Sequence, residues 1–132
     1  MNTWEKKSLS YINKKGFNPT LKKFLLFAED QLPNCTITDT VRTAEEQNKY
    51  FKKGTSKLDG YIKKSNHQSG DAFDIVPYPS LWNASEREWE ELNSSLIECL
   101  IKFNIAFKLD LRLEWGGNWK NFVDRPHYEI KI

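Results

Sequence analysis

Long apolar runs, sulfur-containing residues and a strong net charge are all scarce in this chain of 132 residues. No stretch approaches the roughly 18 consecutive apolar residues of a membrane-spanning helix, so the sequence predicts no stable membrane insertion. The formal net charge of +2 is too small to indicate a nucleic-acid partner. A mean hydropathy of -0.69 and an apolar fraction of 39% predict a soluble globular protein, long enough to bury a core as a single domain.

Cysteine is limited to Cys35 and Cys99, which lie far apart and match no metal-binding spacing. The lysines near the N-terminus are not followed by an apolar segment, so the sequence predicts no signal peptide. We therefore expect synthesis in the cytoplasm. In that compartment two free, buried thiols are favoured over a disulfide.

Apolar periodicity and turn residues divide the chain into helical and extended segments. Helices are predicted from Asn18 to before Pro33, from Ala44 to Lys53, and from the Ser85 capping box to about Phe103. Strands are predicted over 35–41, 72–76, 109–115 and 127–132. The last two strands are close in sequence, which favours antiparallel pairing. The pattern predicts an α+β fold, a small and mainly antiparallel sheet with helices packed on it.

Histidine is also rare, and the first of the two histidines lies in the most distinctive segment, residues 65–74. If 72–76 is a strand, Asp74 points away from the face that carries Phe73. Gly70 would let the chain turn so that His67 meets Asp74. The alternative is a loop histidine beside an unrelated aspartate.

The second histidine, His127, ends an Asp-Arg-Pro-His segment that begins at Asp124. Its proline disfavours a helix and places His127 at the start of the last strand. An ordinary turn is the alternative interpretation, since aspartate and proline are common turn residues. Two imidazoles, one carboxylate ligand and one spare carboxylate are nonetheless the groups that a catalytic zinc site requires.

Together the two segments resemble the M15 family of zinc peptidases. The pattern Ser-x-His-x-x-Gly-x-Ala-x-Asp is complete at Ser65, His67, Gly70, Ala72 and Asp74, and a carboxylate-x-x-His pattern follows near the end of the chain. The family includes D-alanyl-D-alanine carboxypeptidases and dipeptidases, and the L-alanyl-D-glutamate endopeptidases that serve as phage endolysins. The resemblance implies a DD-peptidase/hedgehog-like zinc peptidase fold.

The resemblance also implies residue roles. His67, Asp74 and His127 would bind one Zn²⁺ ion, and Asp124 would be the catalytic base. An aspartate at this position resembles the endolysin branch, because the dipeptidase branch has glutamate there. Arg42 resembles the arginine of the family, which implies that it stabilises the oxyanion. A surface charge at a strand-to-helix junction is the alternative for Arg42.

Four further residues are candidates for the substrate groove: Gln47, Ser65, Trp115 and Trp119. Gln47 has the alternative of a helix surface residue. For Trp115, packing in the core is an equally open alternative, because it continues the apolar alternation of residues 109–115. Lysines are frequent between residues 49 and 64, and they either attract an anionic substrate or form a solvated surface.

The function implied by the resemblance is cleavage of the L-alanyl-D-glutamate bond in peptidoglycan stem peptides, by a phage endolysin during host lysis. Residues 1–132 would be one catalytic domain without a separate cell-wall-binding domain, and would act as a monomer. The enzyme would reach the bacterial peptidoglycan after the membrane is permeabilised. The alternatives are a D-alanyl-D-alanine carboxypeptidase or dipeptidase, and a non-catalytic wall-binding or structural module of the same fold.

Overall fold

The structure is a computed structural model that describes residues 2–131. Its helices are α1 (Lys6–Ile12), α2 (Pro19–Ala28), α3 (Ala44–Lys52) and α4 (Glu86–Phe107). Its strands are β1 (Cys35–Asp39), β2 (Ala72–Pro77), β3 (Leu113–Trp115) and β4 (His127–Ile130). No helix among the described residues is long and apolar enough to cross a membrane.

The strands form one antiparallel sheet in the order β1-β2-β4-β3. This arrangement confirms the α+β class and the antiparallel pairing of the last two strands. The inner strand β2 places Asp74 opposite Asp39 of β1 and opposite His127 of β4. The register therefore brings polar residues from three strands to one point of the sheet.

The hydrophobic core lies between one face of the sheet and helices α1, α2 and α4. Phe73 and Ile75 of β2 are fully buried in it, as predicted for that face of the strand. Phe24 of α2 meets Phe103 of α4 edge to face, with ring centroids 5.5 Å apart. Capping boxes begin α3 at Thr43 and α4 at Ser85, and together they satisfy free backbone N–H groups at both helix starts.

The prediction for residues 109–115 was wrong over its first half. Lys108 ends α4 in the left-handed conformation, with a φ of 54°, and the chain then runs irregularly to β3. The Asn104 side chain accepts a hydrogen bond from Leu111 N and donates one to Leu111 O. Because a side chain satisfies these backbone groups, Leu111 needs no partner strand. The first helix, α1, was not predicted.

The other predicted elements are confirmed with small shifts at their ends. Strand β1 ends at Asp39, two residues early, after an irregularity between Ile37 and Asp39. Strand β4 reaches Ile130, and the prediction for Ile132 lies outside the described residues. Cys35 and Cys99 are both free and buried, as expected, and burial raises the pKa of the Cys35 thiol.

Candidate metal centre and active-site cavity

Three side chains from distant parts of the chain converge on the sheet face opposite the core. His67 Nε2 lies 3.1 Å from Asp74 Oδ1 and 3.2 Å from His127 Nδ1. His127 Nδ1 is 3.3 Å from the same Asp74 oxygen. All three residues are buried, and together they can hold a metal ion.

Backbone geometry explains this convergence. Asp74 and His127 are paired residues of neighbouring antiparallel strands, so their side chains project on the same side of the sheet. His67 comes from the loop before β2, where Gly70 adopts a φ of +78°. A Cβ at Gly70 would lie 2.0 Å from the carbonyl oxygen of Gly16, so glycine is required for both conformation and space.

Hydrogen bonds behind the two imidazoles fix their protonation. His67 Nδ1 lies 2.7 Å from the carbonyl oxygen of Thr40, which can only accept, so Nδ1 carries a proton. His127 Nε2 lies 2.7 Å from a carboxylate oxygen of Glu129 and donates to it. The remaining nitrogens, His67 Nε2 and His127 Nδ1, therefore face each other and Asp74, and they are the nitrogens available to bind a cation.

This donor set fits a cation. Two ring nitrogens and a carboxylate oxygen share one small space, and a positive charge between them would satisfy all three. Burial opposes ionisation of Asp74, but the charges and hydrogen bonds of His67 and His127 hold its pKa far below the usual range. In the metal-free protein a proton takes this place. Burial disfavours charged His127, yet its hydrogen bonds to Asp74 and Glu129 raise its pKa to about 9.

Arg42 is hydrogen-bonded to Asp74, one of the three converging side chains. Its Nη2 donates to Asp74 Oδ2 at 3.2 Å, and its Nε donates to buried Asp39. Its Nη1 donates to Gln47 Oε1 at 2.9 Å, and the Tyr50 ring lies 4.3 Å from the guanidinium carbon. The guanidinium thus orients Asp74, while one edge of the side chain lines the cavity described next.

A cavity of about 600 Å³ opens over the three converging side chains. Its lining includes two of the candidate groove residues, Ser65 and Trp119, and the centroid of the Trp119 ring is 5.1 Å from that of His127. The other residues that bear on its chemistry are Arg42, Tyr50, Lys57, Lys64, Asn66, Trp82, Phe122, Asp124 and Glu129. Ser65 Oγ also accepts a hydrogen bond from His67 N and so braces the loop.

Asp124 lies in this cavity but outside the group of three. Its backbone is held by a hydrogen bond from Asp124 N to Gly116 O and another from His127 N to Asp124 O. Burial, together with the negative charge of Asp74, raises the pKa of the Asp124 carboxyl. A carboxyl group in this position can exchange a proton with a water molecule or a substrate above the three side chains.

The remaining groove candidates lie elsewhere. Trp115 packs against the core and stacks on Tyr128, and its Nε1 donates to the carbonyl oxygen of Arg125 at 2.6 Å. Gln47 is fully buried behind Arg42, where its Nε2 donates to Ser56 Oγ and to the Leu58 carbonyl oxygen. Gln47 is therefore not a helix surface residue. It links Arg42 to the loop that follows α3.

Sequence reasoning missed Glu129 and Thr40. Glu129 is two residues after His127 on β4, so strand periodicity puts both on the same face and gives a signal for the contact. Thr40 contributes only its backbone carbonyl oxygen, for which no side-chain pattern exists. The cavity residues Lys57, Trp82 and Phe122 come from separate segments of the chain, and their proximity depends on tertiary structure.

Two curated proteins resemble most of the chain. This chain is 30% identical, over 126 residues, to the L-alanyl-D-glutamate peptidase of Listeria phage A118. The match covers 94% of this chain and 41% of that protein. The chain is 29% identical, over 106 residues, to the peptidoglycan L-alanyl-D-glutamate endopeptidase CwlK of Bacillus subtilis strain 168, covering 74% of this chain and 60% of that protein. The chain thus spans less than two thirds of the length of both relatives.

A solved structure supports the fold. The crystal structure of the Serratia marcescens L-Ala D-Glu endopeptidase ChiX matches with a TM-score of 0.75 at 19% identity, over 98% of this chain and 91% of that one. The model of the family described as phage L-alanyl-D-glutamate peptidase matches residues 4–131. Because that match spans nearly the whole sequence, the chain belongs to the phage L-alanyl-D-glutamate peptidase family.

Proposed function

We propose that this chain is a zinc-dependent endopeptidase that cleaves the bond between L-alanine and D-glutamate in peptidoglycan stem peptides. The observation that carries the proposal is the convergence of His67, Asp74 and His127 beneath a cavity that also contains Asp124. The two relatives are L-alanyl-D-glutamate peptidases, which supports the choice of bond.

Zinc is the metal that suits this donor set. Two imidazole nitrogens and one carboxylate oxygen are common ligands of catalytic zinc, and three protein ligands leave a further position free for chemistry. His67 and His127 would bind through the nitrogens that face each other, and Asp74 through Oδ1. When bound, the ion lowers the pKa of a water molecule and polarises the scissile carbonyl group.

The surrounding residues have distinct tasks in this proposal. Asp124 accepts a proton from the attacking water and returns it to the leaving amine, a role that its raised pKa favours. Arg42 holds Asp74 in place through Nη2, and its positive charge stabilises the negative charge that develops on the carbonyl oxygen. Trp119, beside His127, forms a wall of the cavity.

The biological setting that we propose is host lysis by a bacteriophage. The phage relative supports this setting. In it, the protein is made in the cytoplasm, acts as a monomer, and reaches peptidoglycan after the membrane is permeabilised.

The test is digestion of purified peptidoglycan by the protein reconstituted with zinc, with and without a chelator, followed by mass spectrometry of the released fragments. We expect new amino-terminal D-glutamate residues, no digestion with the chelator, and recovery when zinc is restored. Release of free D-alanine would instead indicate a carboxypeptidase. Zinc binding without any new termini would indicate a non-catalytic wall-binding module.

A further inference from the structure

Some charged side chains of the cavity have ion-pair or hydrogen-bond partners, and others do not. Asp74 is paired with Arg42 and contacts both histidines, and Glu129 accepts hydrogen bonds from His127 and Asn66. Within the part of the chain that the structure describes, residues 2–131, the cavity lysines Lys57 and Lys64 form no ion pair. Each of these two ammonium groups is therefore free to pair with an anionic group of a molecule that enters the cavity.

The two lysines differ in position. Lys64 immediately precedes Ser65, on the loop that carries His67. Lys57 reaches towards the opposite loop, where its Nζ lies 5.5 Å from the centroid of the Phe122 ring. Phe122 is two residues from Asp124, so Lys57 is next to the segment that holds the proposed base.

The position of Lys57 matters because Asp124 defines the amine side of the bond. In the proposed reaction Asp124 returns a proton to the leaving nitrogen, so that nitrogen and the residue carrying it lie beside Asp124. In an L-alanyl-D-glutamate bond this residue is glutamate, which has two carboxyl groups and uses only one to continue a peptide. When the peptide continues through the side-chain carboxyl, the free carboxylate is on the carbon that carries the leaving nitrogen.

We propose that Lys57 is a specificity residue that binds this free carboxylate of the D-glutamate residue, so that the enzyme prefers the acid to its amide. An ammonium group forms a charge-assisted hydrogen bond with a carboxylate, and the carboxamide offers no charge to replace it. The Phe122 ring, whose centroid is 5.5 Å from Lys57 Nζ, covers one side of the ammonium group. This inference rests on the proposed peptidase function and adds a rule for choosing among its substrates.

The experiment compares two synthetic substrates, N-acetyl-L-alanyl-γ-D-glutamyl-L-lysine and the same tripeptide with the α-carboxylate converted to a carboxamide. The variant is Lys57→Met, which retains an apolar stem to cover Phe122 but removes the charge. For the zinc-loaded wild type we expect kcat/KM to be about tenfold higher on the acid, the size of one charge-assisted hydrogen bond. In Lys57→Met, kcat/KM should fall on the acid and not on the amide, so the preference is lost. Lys57→Arg should retain the preference.

Lys63→Met is the matched control. Lys63 is exposed on the same loop but outside the cavity lining, so its loss removes the same charge without changing the preference. Equal losses on both substrates in Lys57→Met, or no loss on either, would overturn the role of Lys57 while leaving the peptidase function intact. If the wild type hydrolyses neither substrate, nor peptidoglycan, both proposals fail together.

Discussion

Single hydrogen bonds on the far sides of two imidazole rings decide what those rings offer to the cavity. Thr40 O holds the proton on His67 Nδ1, and Glu129 holds the proton on His127 Nε2. Each bond keeps one ring nitrogen protonated, leaves the other nitrogen as the possible metal ligand, and fixes the plane of its ring. The site is thus prepared for a cation by acceptors that never contact the cation.

The first prediction concerns competition between a proton and a metal ion at His127. Its folded pKa of about 9 lies above the ordinary value of 6.5, so in the metal-free protein the charged ring stabilises the fold fully below pH 6.5, and this contribution is lost as pH rises towards 9. Zinc must displace that proton. Its affinity should therefore rise by about tenfold per pH unit in this window.

Titration calorimetry in buffers of different ionisation enthalpy measures both the affinity and the released proton. Glu129→Gln replaces a charged hydrogen-bond acceptor of His127 with a neutral one, which lowers the pKa of His127, so the zinc affinity should stop rising at a lower pH than in the wild type. A zinc affinity that is flat between pH 6.5 and 9 in the wild type would contradict the protonated state assigned to His127.

The second prediction separates metal binding from proton transfer. Asp124→Asn removes the proposed base without touching the three ligands, so zinc content should be unchanged while kcat falls by roughly 10²- to 10⁴-fold. Zinc content and the rate of peptidoglycan digestion are the two measurements. His67→Ala should lose both properties.

Asp110→Asn is the control for the change of charge, because Asp110 is exposed and pairs only with Arg112 in the described structure. It should digest peptidoglycan like the wild type. If Asp124→Asn retains the wild-type rate, another group is the base.

At the scale of elements, the loop before β2 carries His67 and is locked against the loop between α1 and α2. Asn18 N donates to Gly70 O, and the Asn18 side chain donates to Asp71. Gly70 packs so closely on Gly16 that no side chain fits between them. Two loops distant in sequence therefore set the position of one proposed ligand.

The third prediction compares two glycines that share a φ of +78°. Gly54→Ala meets no atom within 4 Å, so it should cost only the strain of a left-handed alanine, about 1 kcal/mol. Gly70→Ala adds a collision with the Gly16 carbonyl oxygen and should lower the free energy of unfolding by about 3 kcal/mol or more.

Urea unfolding of the metal-free proteins measures the free energy of unfolding of both variants. Their zinc affinities provide a second comparison. The Gly70 variant should bind zinc more weakly because its loop must move, whereas the Gly54 variant should bind like the wild type. Equal destabilisation of the two would mean that the contact between the loops is not tight.

At the scale of the whole molecule, the sheet has the hydrophobic core on one face and the proposed active site on the other. Phe73 and Ile75 of β2 enter the core with α2 and α4, while Asp74, from the same strand, faces the cavity. The core contains no member of the ligand group, so the fold does not depend on the metal in the way that a small zinc finger does.

The fourth prediction follows from this separation. The chelated protein should unfold cooperatively, and free zinc at about 100-fold above Kd should add about 2.7 kcal/mol to the free energy of unfolding, or roughly 10 °C in Tm. Calorimetry with and without zinc measures the shift. Asp124→Asn should show the same shift and His67→Ala should show none. A chelated wild type without a cooperative transition would contradict the prediction.

Much of the fold was predictable from local patterns. Capping boxes at Thr43 and Ser85 located α3 and α4, since the groups that begin a helix lie within three residues of each other. The alternation of apolar residues wrongly predicted a strand at residues 109–112. There the Asn104 side chain, and not a neighbouring strand, makes the hydrogen bonds to the backbone of Leu111. The helix α1 was missed because its seven residues are too few for a clear apolar period.

The sequence by itself determined the identities of the residues at the candidate site: two rare histidines, each near an aspartate, in segments with strand and turn character. It also determined the face of β2 that carries Asp74, because side chains alternate along any strand. These properties are local, and short-range spacing records them.

Only the tertiary structure decided how these groups are supported and what surrounds them. It placed Thr40 and Glu129 behind the imidazoles, buried Gln47 behind Arg42, packed Trp115 against the core, and brought Lys57 to the loop of Asp124. The reason is physical. Strand register and loop packing join residues that are tens of positions apart, and no periodicity within a segment encodes a contact between segments.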